Sequence, residues 1–498
     1  MTDAPAITDE SAAASAAAAA KTKADYGVVA WLVAATFVVI LNETIMMNAI
    51  PRLMAEFEVD ARAAQWLSTA FMLTMAVVIP VTGWFLQRVT TRQAYGLAMI
   101  VFSLGTAIAA AAPVFWLLIA GRIVQATGTA VMMPLLMTTL MEVVPEHDRG
   151  RIMGRVVMAI SVAPALGPAV SGVVLQFTSW RWLFGFVLPI SLGMLIAGLR
   201  RLTNVGEVRS HSVDIPSIII SALGFGTAVY GLSLVGGPNV TFDVFGRHAS
   251  VHPLWFVATG SVVVALFVWR QVILQRIDNP LLDLRTLKHR TFTLGMLLMV
   301  VAFMGFMGSM IVLPIYLQGL RGLTSLQTGL LMIPGGLAMG LSGPRIGHLF
   351  DEYGARPLIV PGAIAVTAAL GTLTQVNATT PIPIILTAHV FFMAGLAALF
   401  TPIFTLSLNS VPEHLYSHAS SLLGTTQQVA GAIGTAVVVT VMSWRASTLS
   451  HEGASAAQAA IGGTQSAFIT GAVLSIGIIV LALVIPSRAP EGMSGQAH

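Results

Sequence analysis

One acidic side chain lies inside an otherwise apolar stretch of this chain: Glu43, in Val38-Val39-Ile40-Leu41-Asn42-Glu43-Thr44-Ile45-Met46-Met47. The other Asp and Glu read as tail, loop or span-end residues, Glu142 and Asp214 included. An ionised acid at the centre of a membrane helix costs about 2.5–3.5 kcal/mol on insertion scales. A carboxyl in that setting gains and loses a proton as its surroundings change. The chemistry open to Glu43 is therefore reversible protonation, or a fixed hydrogen bond to Asn42, Thr44 or a neighbouring helix. Arg122 is the basic residue inside a span, and it needs a carboxylate or backbone carbonyls as partner unless it lies close to the outer surface. Gln125 follows one turn later on the same helix face and can share a network with it.

His389 falls near the middle of another apolar run. It reads as a second titratable group or as a packed hydrogen-bonding residue, and with Asn42 and Gln125 it is a candidate for the substrate cavity. Gln427 and Gln428, in Thr425-Thr426-Gln427-Gln428, form the densest polar patch within a run, with Gln65, Gln318 and Asn409 as further polar groups. Each is a cavity candidate or interhelical glue. Met46 and Met47, with Met132 and Met133, flank the buried polar groups. Flexible thioethers suit a pocket that accepts varied apolar cargo, and they also suit lipid-facing filler.

These residues must be held by a membrane bundle. Hydrophobic residues make up 56% of the 498 and charged residues 9%, with mean hydropathy +0.84. A soluble domain carries about 25% charged residues. The chain has no cysteine, which excludes disulfides, thiol catalysis and Cys-based metal centres. No run of like charges forms a nucleic-acid arm. Residues 1–26 are Ala-, Ser- and Thr-rich and read as a disordered cytoplasmic tail, not a cleaved leader.

Apolar runs predict fourteen helices, near 27–50, 64–86, 94–112, 115–141, 152–176, 182–199, 214–236, 253–273, 291–319, 324–349, 357–376, 382–409, 419–444 and 467–487. With the N-terminus inside, eighteen of the 25 Lys and Arg fall in cytoplasmic segments, six fall outside and Arg122 lies within a span. That bias places both termini in the cytoplasm.

A repeat divides the chain. Gly-Trp-Phe-Leu-Gln-Arg-Val-Thr-Thr-Arg (83–92) matches Gly-His-Leu-Phe-Asp-Glu-Tyr-Gly-Ala-Arg (347–356) at a span end. Gly83 aligns with Gly347, Gln87 with Asp351, Thr90 with Gly354 and Arg92 with Arg356; Arg88 lies in the first copy. A carboxylate there can bind the amides of a helix N-terminus, with Arg bridging to it. Two copies in matching topology predict a conformational latch. They also predict two six-helix halves, 27–200 and 291–487, joined by a linker (201–290) with two inserted helices. Residues 488–498 form a second cytoplasmic tail. Internal repeats of this kind mark secondary transporters.

These features resemble the major facilitator superfamily, and within it the fourteen-helix drug:proton antiporters, most of all the lincomycin-resistance type. The 83–92 turn resembles the family's Gly-x-x-x-Asp-Arg-x-Gly-Arg-Lys pattern, with Gln87 at the Asp position and Thr90 at the Gly position. Arg122-Ile-Val-Gln125-Ala126 resembles its fourth-helix pattern. Pro164, Gly167, Pro168 and Gly172 resemble the fifth-helix antiporter pattern, and Trp180–Pro189 resembles the start of the sixth helix. The opening stretch resembles the first-helix Leu-Asp-x-Thr pattern, with Asn42 at the Asp position and Glu43 following. The resemblance implies a 6+2+6 all-α membrane protein of the bacterial cytoplasmic membrane. It implies a monomer that exports amphipathic, in part cationic, drugs against protons, without metal, nucleotide or other cofactor. Glu43 and Arg122 would then handle the proton. Pro164 to Gly172 would seal the halves against proton leak.

Three other classes fit less well. A primary pump needs a nucleotide site, yet only three lysines exist and none follows Gly in a P-loop. An enzyme lacks any HExxH motif, nucleophile elbow or buried carboxylate pair. An exporter of a single physiological solute, or a transporter-like sensor or channel, stays open at this point.

Overall fold

A computed structural model of the chain describes residues 9–59, 61–204, 214–235, 240–244, 247–277 and 280–488. The N-terminal bundle comprises Asp9–Ile45 (α1), Ile50–Phe57 (α2), Ala61–Leu86 (α3), Thr91–Ala111 (α4), Phe115–Val143 (α5), Arg149–Phe177 (α6) and Arg181–Arg201 (α7). Ile215–Leu234 (α8) and Pro253–Leu274 (α9) follow, with a hairpin of Val240–Val244 (β1) and Arg247–Val251 (β2) between them. The C-terminal bundle comprises Arg290–Ile315 (α10), Ser325–Tyr353 (α11), Arg356–Leu373 (α12), Ile382–Asn409 (α13), Tyr416–His451 (α14) and Ala456–Val484 (α15).

Twelve helices among the described residues are long and apolar enough to cross a membrane. The other two long helices, α6 and α11, pack against each other across the middle of the molecule. Three departures from the sequence reading stand out. Helix α1 starts at Asp9, inside the segment expected to be a disordered tail, because that segment is rich in alanine, the best helix former. The expected span 27–50 breaks after Ile45 into a 3-10 turn, Met46–Ala49, before α2 restarts with Pro51 in its first turn. The all-α expectation also missed the β1–β2 hairpin, a local turn between α8 and α9.

The halves are built alike. α4 packs on α5 and α7 as α12 packs on α13 and α15. α1 packs on α6 as α10 packs on α14, and α3 on α5 as α11 on α13. Pro80 in α3 and Pro344 in α11 each stand three residues before the repeat glycine, Gly83 or Gly347. The halves meet along two seams, α6 with α11 and α3 with α14. The first seam depends on Gly150-x-x-x-Gly154 facing Gly343-x-x-x-Gly347. A methyl on Gly347 would overlap the Gly150 carbonyl, and one on Gly154 the Gly343 carbonyl. Small residues at this spacing let two backbones touch where lipid supplies no hydrophobic drive.

The second seam is covered from the side by the inserted pair. α8 packs on both α3 and α14. Trp66 of α3 stacks on Tyr230 of α8, ring centroids 5.6 Å apart. Gln271 of α9 accepts hydrogen bonds from the amides of Leu281 and Leu282, both buried, and so holds that loop against Val81, Trp84 and Leu422. Arg270 forms a bidentate pair with Asp214 at the start of α8, which holds that carboxyl below its ordinary range.

Replacing Gly347 by Ala should force the two backbones apart and cost about 1–3 kcal/mol, the usual penalty of overpacking. The check is thermal unfolding in detergent. Gly193→Ala, where a methyl meets nothing within 4 Å, is the control that should leave the transition in place.

Candidate functional site

Helix α1 carries Asn42, Glu43 and Thr44 into its last turn, beside the 3-10 break at Met46. Glu43 thus sits toward the end of the α1 span rather than at its middle. Its side chain is partly buried, while Asn42 is 2% exposed and its Oδ1 has no hydrogen-bond partner. Thr44 donates from Oγ1 to the Leu41 carbonyl at 3.0 Å. The same hydroxyl lies against Gly167 of α6, where a methyl would overlap it. Thus the absence of a side chain at Gly167 lets α6 seat the turn bearing Glu43. Gly172 lies further along the same helix. The side chains of Met47, Pro164 and Pro168 lie outside the described residues. Met46 is buried in the apolar cluster around Trp180 and Phe184.

Arg122, at 1% exposure, is not salt-bridged. Its guanidinium lies 4.1 Å from the centroid of the Phe71 ring of α3. It donates to Gln125 Oε1 at 2.7 Å, Gln125 donates to Thr106 Oγ1 at 2.8 Å, and Thr106 donates to the Phe102 carbonyl at 2.7 Å. This chain ties α5 to α4 and fixes the cation in one place. Arg122 and Glu43 act on each other electrostatically, yet no ion pair within 4 Å joins them among the described residues. The direct pair left open by the sequence is therefore absent. The i,i+3 relation of Gln125 to Arg122 was legible, but Phe71 and Thr106 carried no signal in the sequence.

The polar residues expected of a common cavity do not converge. Gln427 lies beside Met299, its Nε2 3.7 Å from the sulfur. Gln428 is partly buried. His389 is buried in the C-terminal half between α13 and α11. A cavity of about 420 Å³ lies between α12 and α13 and is lined by Ala365, Thr372, Thr387 and Phe391 among others. It includes none of the candidate residues.

The repeat turns do bond across the halves, with different partners from those expected. Asp351 accepts from the amides of Gly150 at 2.8 Å and Arg151 at 2.7 Å, the first turn of α6 in the opposite half. Arg356 and Arg92 are exposed and bridge to neither. Arg88 instead lies 4.8 Å from the Trp84 ring centroid. In the other copy Gln87 Nε2 donates to the His414 carbonyl at 3.2 Å, just before α14. Gly83 packs on His418 and Ser421 of α14. Gly354 has φ +83°, and a side chain there would meet the Ser487 carbonyl at 2.6 Å. That carbonyl also accepts from Ala355 N at 2.7 Å, so the turn after α11 holds the end of α15.

Sequence reasoning counted Arg149 only as a loop charge. It is 8% exposed. Its Nε donates to the Val144 carbonyl and Nη2 to the Met141 carbonyl, at the end of α5; Nη1 donates to Asn409 Oδ1 at 2.8 Å and to the Tyr416 hydroxyl at 3.3 Å. It caps one half and pins the other. Thr82 with Ser421 (2.7 Å) and Thr138 with Ser420 (3.0 Å) add hydroxyl pairs across the halves. All these cross-half bonds lie at one end, where α1 begins and α15 finishes. The opposite end is braced within the N-terminal half. There Glu56 of α2 accepts from Arg181 at 2.6 Å and from Trp180 at 2.7 Å. The Arg181 hydrogen bond holds the Glu56 carboxyl below its ordinary range.

The sequence profile described as Major Facilitator Superfamily matches residues 32–435. The chain is 37% identical over 416 residues to the lincomycin resistance protein LmrB of Listeria monocytogenes, covering 84% of this chain and 86% of that protein. It is 36% identical over 412 residues to the LmrB of Bacillus subtilis, covering 83% and 84%. Its fold is similar to the crystal structure of the human organic anion transporter MFSD10 (TETRAN), with TM-score 0.66 at 14% identity over 92% of this chain and 99% of that one.

Two outcomes follow from this geometry. Asp351→Asn removes the charge from two amide bonds, each worth about 1.5–3 kcal/mol when charged, and should loosen the closed end. The chain lacks cysteine, so a Thr138→Cys/Ser420→Cys disulfide reports closure directly, and its yield should fall in the Asp351→Asn background. Gly167→Ala should displace Thr44 and lower transport without unfolding the protein. Paired measurements of transport and thermal unfolding separate those effects.

Proposed function

Since this chain belongs to the Major Facilitator Superfamily, we propose that it is a proton-coupled exporter of amphipathic drugs, cationic ones among them. It works by alternating access between its halves. On this reading all fourteen long helices span a bacterial cytoplasmic membrane in a 6+2+6 arrangement, with both termini in the cytoplasm. Residues 27–200 and 291–487 are the moving halves, and a monomer is the working unit. The latch end is then the cytoplasmic end. The drug-resistance names of the relatives support the cargo class, and the Lys/Arg bias supports the orientation.

The observation that carries the proton assignment is the arrangement at Glu43. The carboxyl lies in an apolar helix, within the field of Arg122 but out of contact with it. The cation is already engaged by Gln125 and Phe71. A contact ion pair would lock the carboxylate in its charged form. A cation held at a distance lets it lose its proton to water and regain it. A cationic cargo can compete for the same charge. The membrane potential contributes about 2.3 kcal/mol per charge per 100 mV.

Purified protein in liposomes with an imposed proton gradient tests this. Glu43→Gln should reduce uphill efflux of a fluorescent cation to background while preserving downhill exchange of that cation. Uphill efflux by the Gln variant at the wild-type rate overturns the assignment. A channel would show no trans-acceleration of exchange.

A further inference from the structure

We propose that His389 is a second proton-binding site, built into the C-terminal half where the N-terminal half carries Arg122; the inference rests on the proton-coupled reading above. The equivalence is internal to the chain. Val144-Pro145-Glu146-His147 after α5 recurs as Val411-Pro412-Glu413-His414 after α13, at the same spacing that separates Arg122 from His389. Each of the two is the eighth residue of its helix. The residue facing Arg122 is Phe71 of α3, and the residue facing His389 is Gly335 of α11. Those two are separated by the same spacing as Gly83 and Gly347, the repeat glycines. A methyl on Gly335 would overlap the imidazole, so the ring occupies the space that an aromatic side chain fills in the other half.

The chemistry of the two places differs. Arg122 is permanently charged and its guanidinium has partners. His389 is 2% exposed, and neither ring nitrogen has a hydrogen bond of normal geometry; the backbone of Met332 is a polar neighbour outside that geometry. A neutral imidazole presents one donor and one acceptor. Buried polar groups without partners are uncommon in native folds and point to a role in another state. None of the helices packed on α13 brings a charge to the ring. Asp351 of α11, Arg356 of α12, Arg149 of α6, Arg290 of α10 and His418 of α14 sit toward the latch end, and Arg445 of α14 makes no bond with it. The half also lacks a counterpart to Glu43. Gly434 of α14 meets the backbone of Met304 in α10 as Gly167 meets Thr44, which puts Phe303 at the place of the acid. One half thus holds an acid and a fixed cation, and the other holds a lone imidazole. In the proposed cycle the imidazole gains one N–H bond from water on one side of the membrane. It returns that proton to water on the other side, with no covalent change.

The test compares wild type, His389→Gln, His389→Ala and Glu43→Gln in liposomes, with ethidium as cargo and a trapped pH dye. Downhill ethidium exchange reports folding. His389→Gln keeps a hydrogen-bonding group but cannot titrate. It should exchange ethidium normally, move about one proton fewer per cycle, and lose the step in efflux between pH 5 and 8 where imidazoles titrate. Wild-type proton movement and an unchanged pH profile in His389→Gln overturn the inference. Nitrogen NMR of labelled histidine, assigned by the same substitution, decides the case where exchange is lost. A His389 signal that titrates between pH 5 and 8 supports the site, and one that stays neutral throughout overturns it. If wild type moves no protons at all, the exporter reading fails, whereas the NMR result still judges His389.

Discussion

A cation buried among apolar helices has to be answered, and the N-terminal half answers Arg122 without a contacting carboxylate. The Phe71 face and the Gln125 carbonyl take up the guanidinium, and Thr106 fixes the amide. Burying a charge without partners is costly, so this small network sets the packing of α3, α4 and α5 around it. It also leaves Glu43 without a contact partner. Were Glu43 the ligand of Arg122, the pair would be a structural ion pair of the kind whose desolvation consumes most of its attraction. The separation is what leaves the carboxyl available for chemistry.

The two halves repeat each other in backbone and diverge in side chains. Asp351 holds two amides at the start of α6, whereas its counterpart Gln87 offers a single neutral bond to the carbonyl of His414. Arg149 stands where the second half has Tyr416, and the two touch across the halves. The seams are therefore closed by different means. α6 and α11 are joined by glycine-to-backbone contact and the Asp351 carboxylate on two amides. α3 and α14 are joined by the Thr82–Ser421 hydroxyl pair, with α8 lying over both. The inserted helices cover the seam whose turn has lost its carboxylate.

Much of this was legible in the residues. The spans emerged because lipid imposes length and apolarity on every crossing helix, and the repeat emerged because both copies keep Gly and Arg at fixed spacing. Asp351 was recognised as a carboxylate that could serve a helix N-terminus, since that chemistry is local. Which helix it serves was not legible, because the partner amides lie two hundred positions away in sequence. The same limit hid Arg149: its burial comes from Asn409 and Tyr416, which no local pattern links to it. Arg356 was expected at the latch because it shares a short motif with Asp351. It is exposed, and the chain turns at Gly354 before it. The break after Ile45 was missed for a different reason. Apolar residues continue through it, and hydropathy does not distinguish an α-helix from a 3-10 turn.

Helix α6 ties these features together. Its first turn receives the Asp351 carboxylate at Gly150 and Arg151, and further along the same helix Gly167 receives Thr44, next to Glu43. The seventeen residues between Gly150 and Gly167 span roughly 25 Å at 1.5 Å each. A continuous helix transmits tilt along its length better than a loop does. If Asp351 releases the start of α6, rotation of that helix bears on Thr44 through the close contact at Gly167. Conversely, a change of charge at Glu43 that repacks the last turn of α1 acts on α6 at the same place. Coupling between sites of this kind needs an element with two arrangements that both sites bias. α6 lies on a seam between the halves and touches the Asp351 turn and the acid-bearing turn directly.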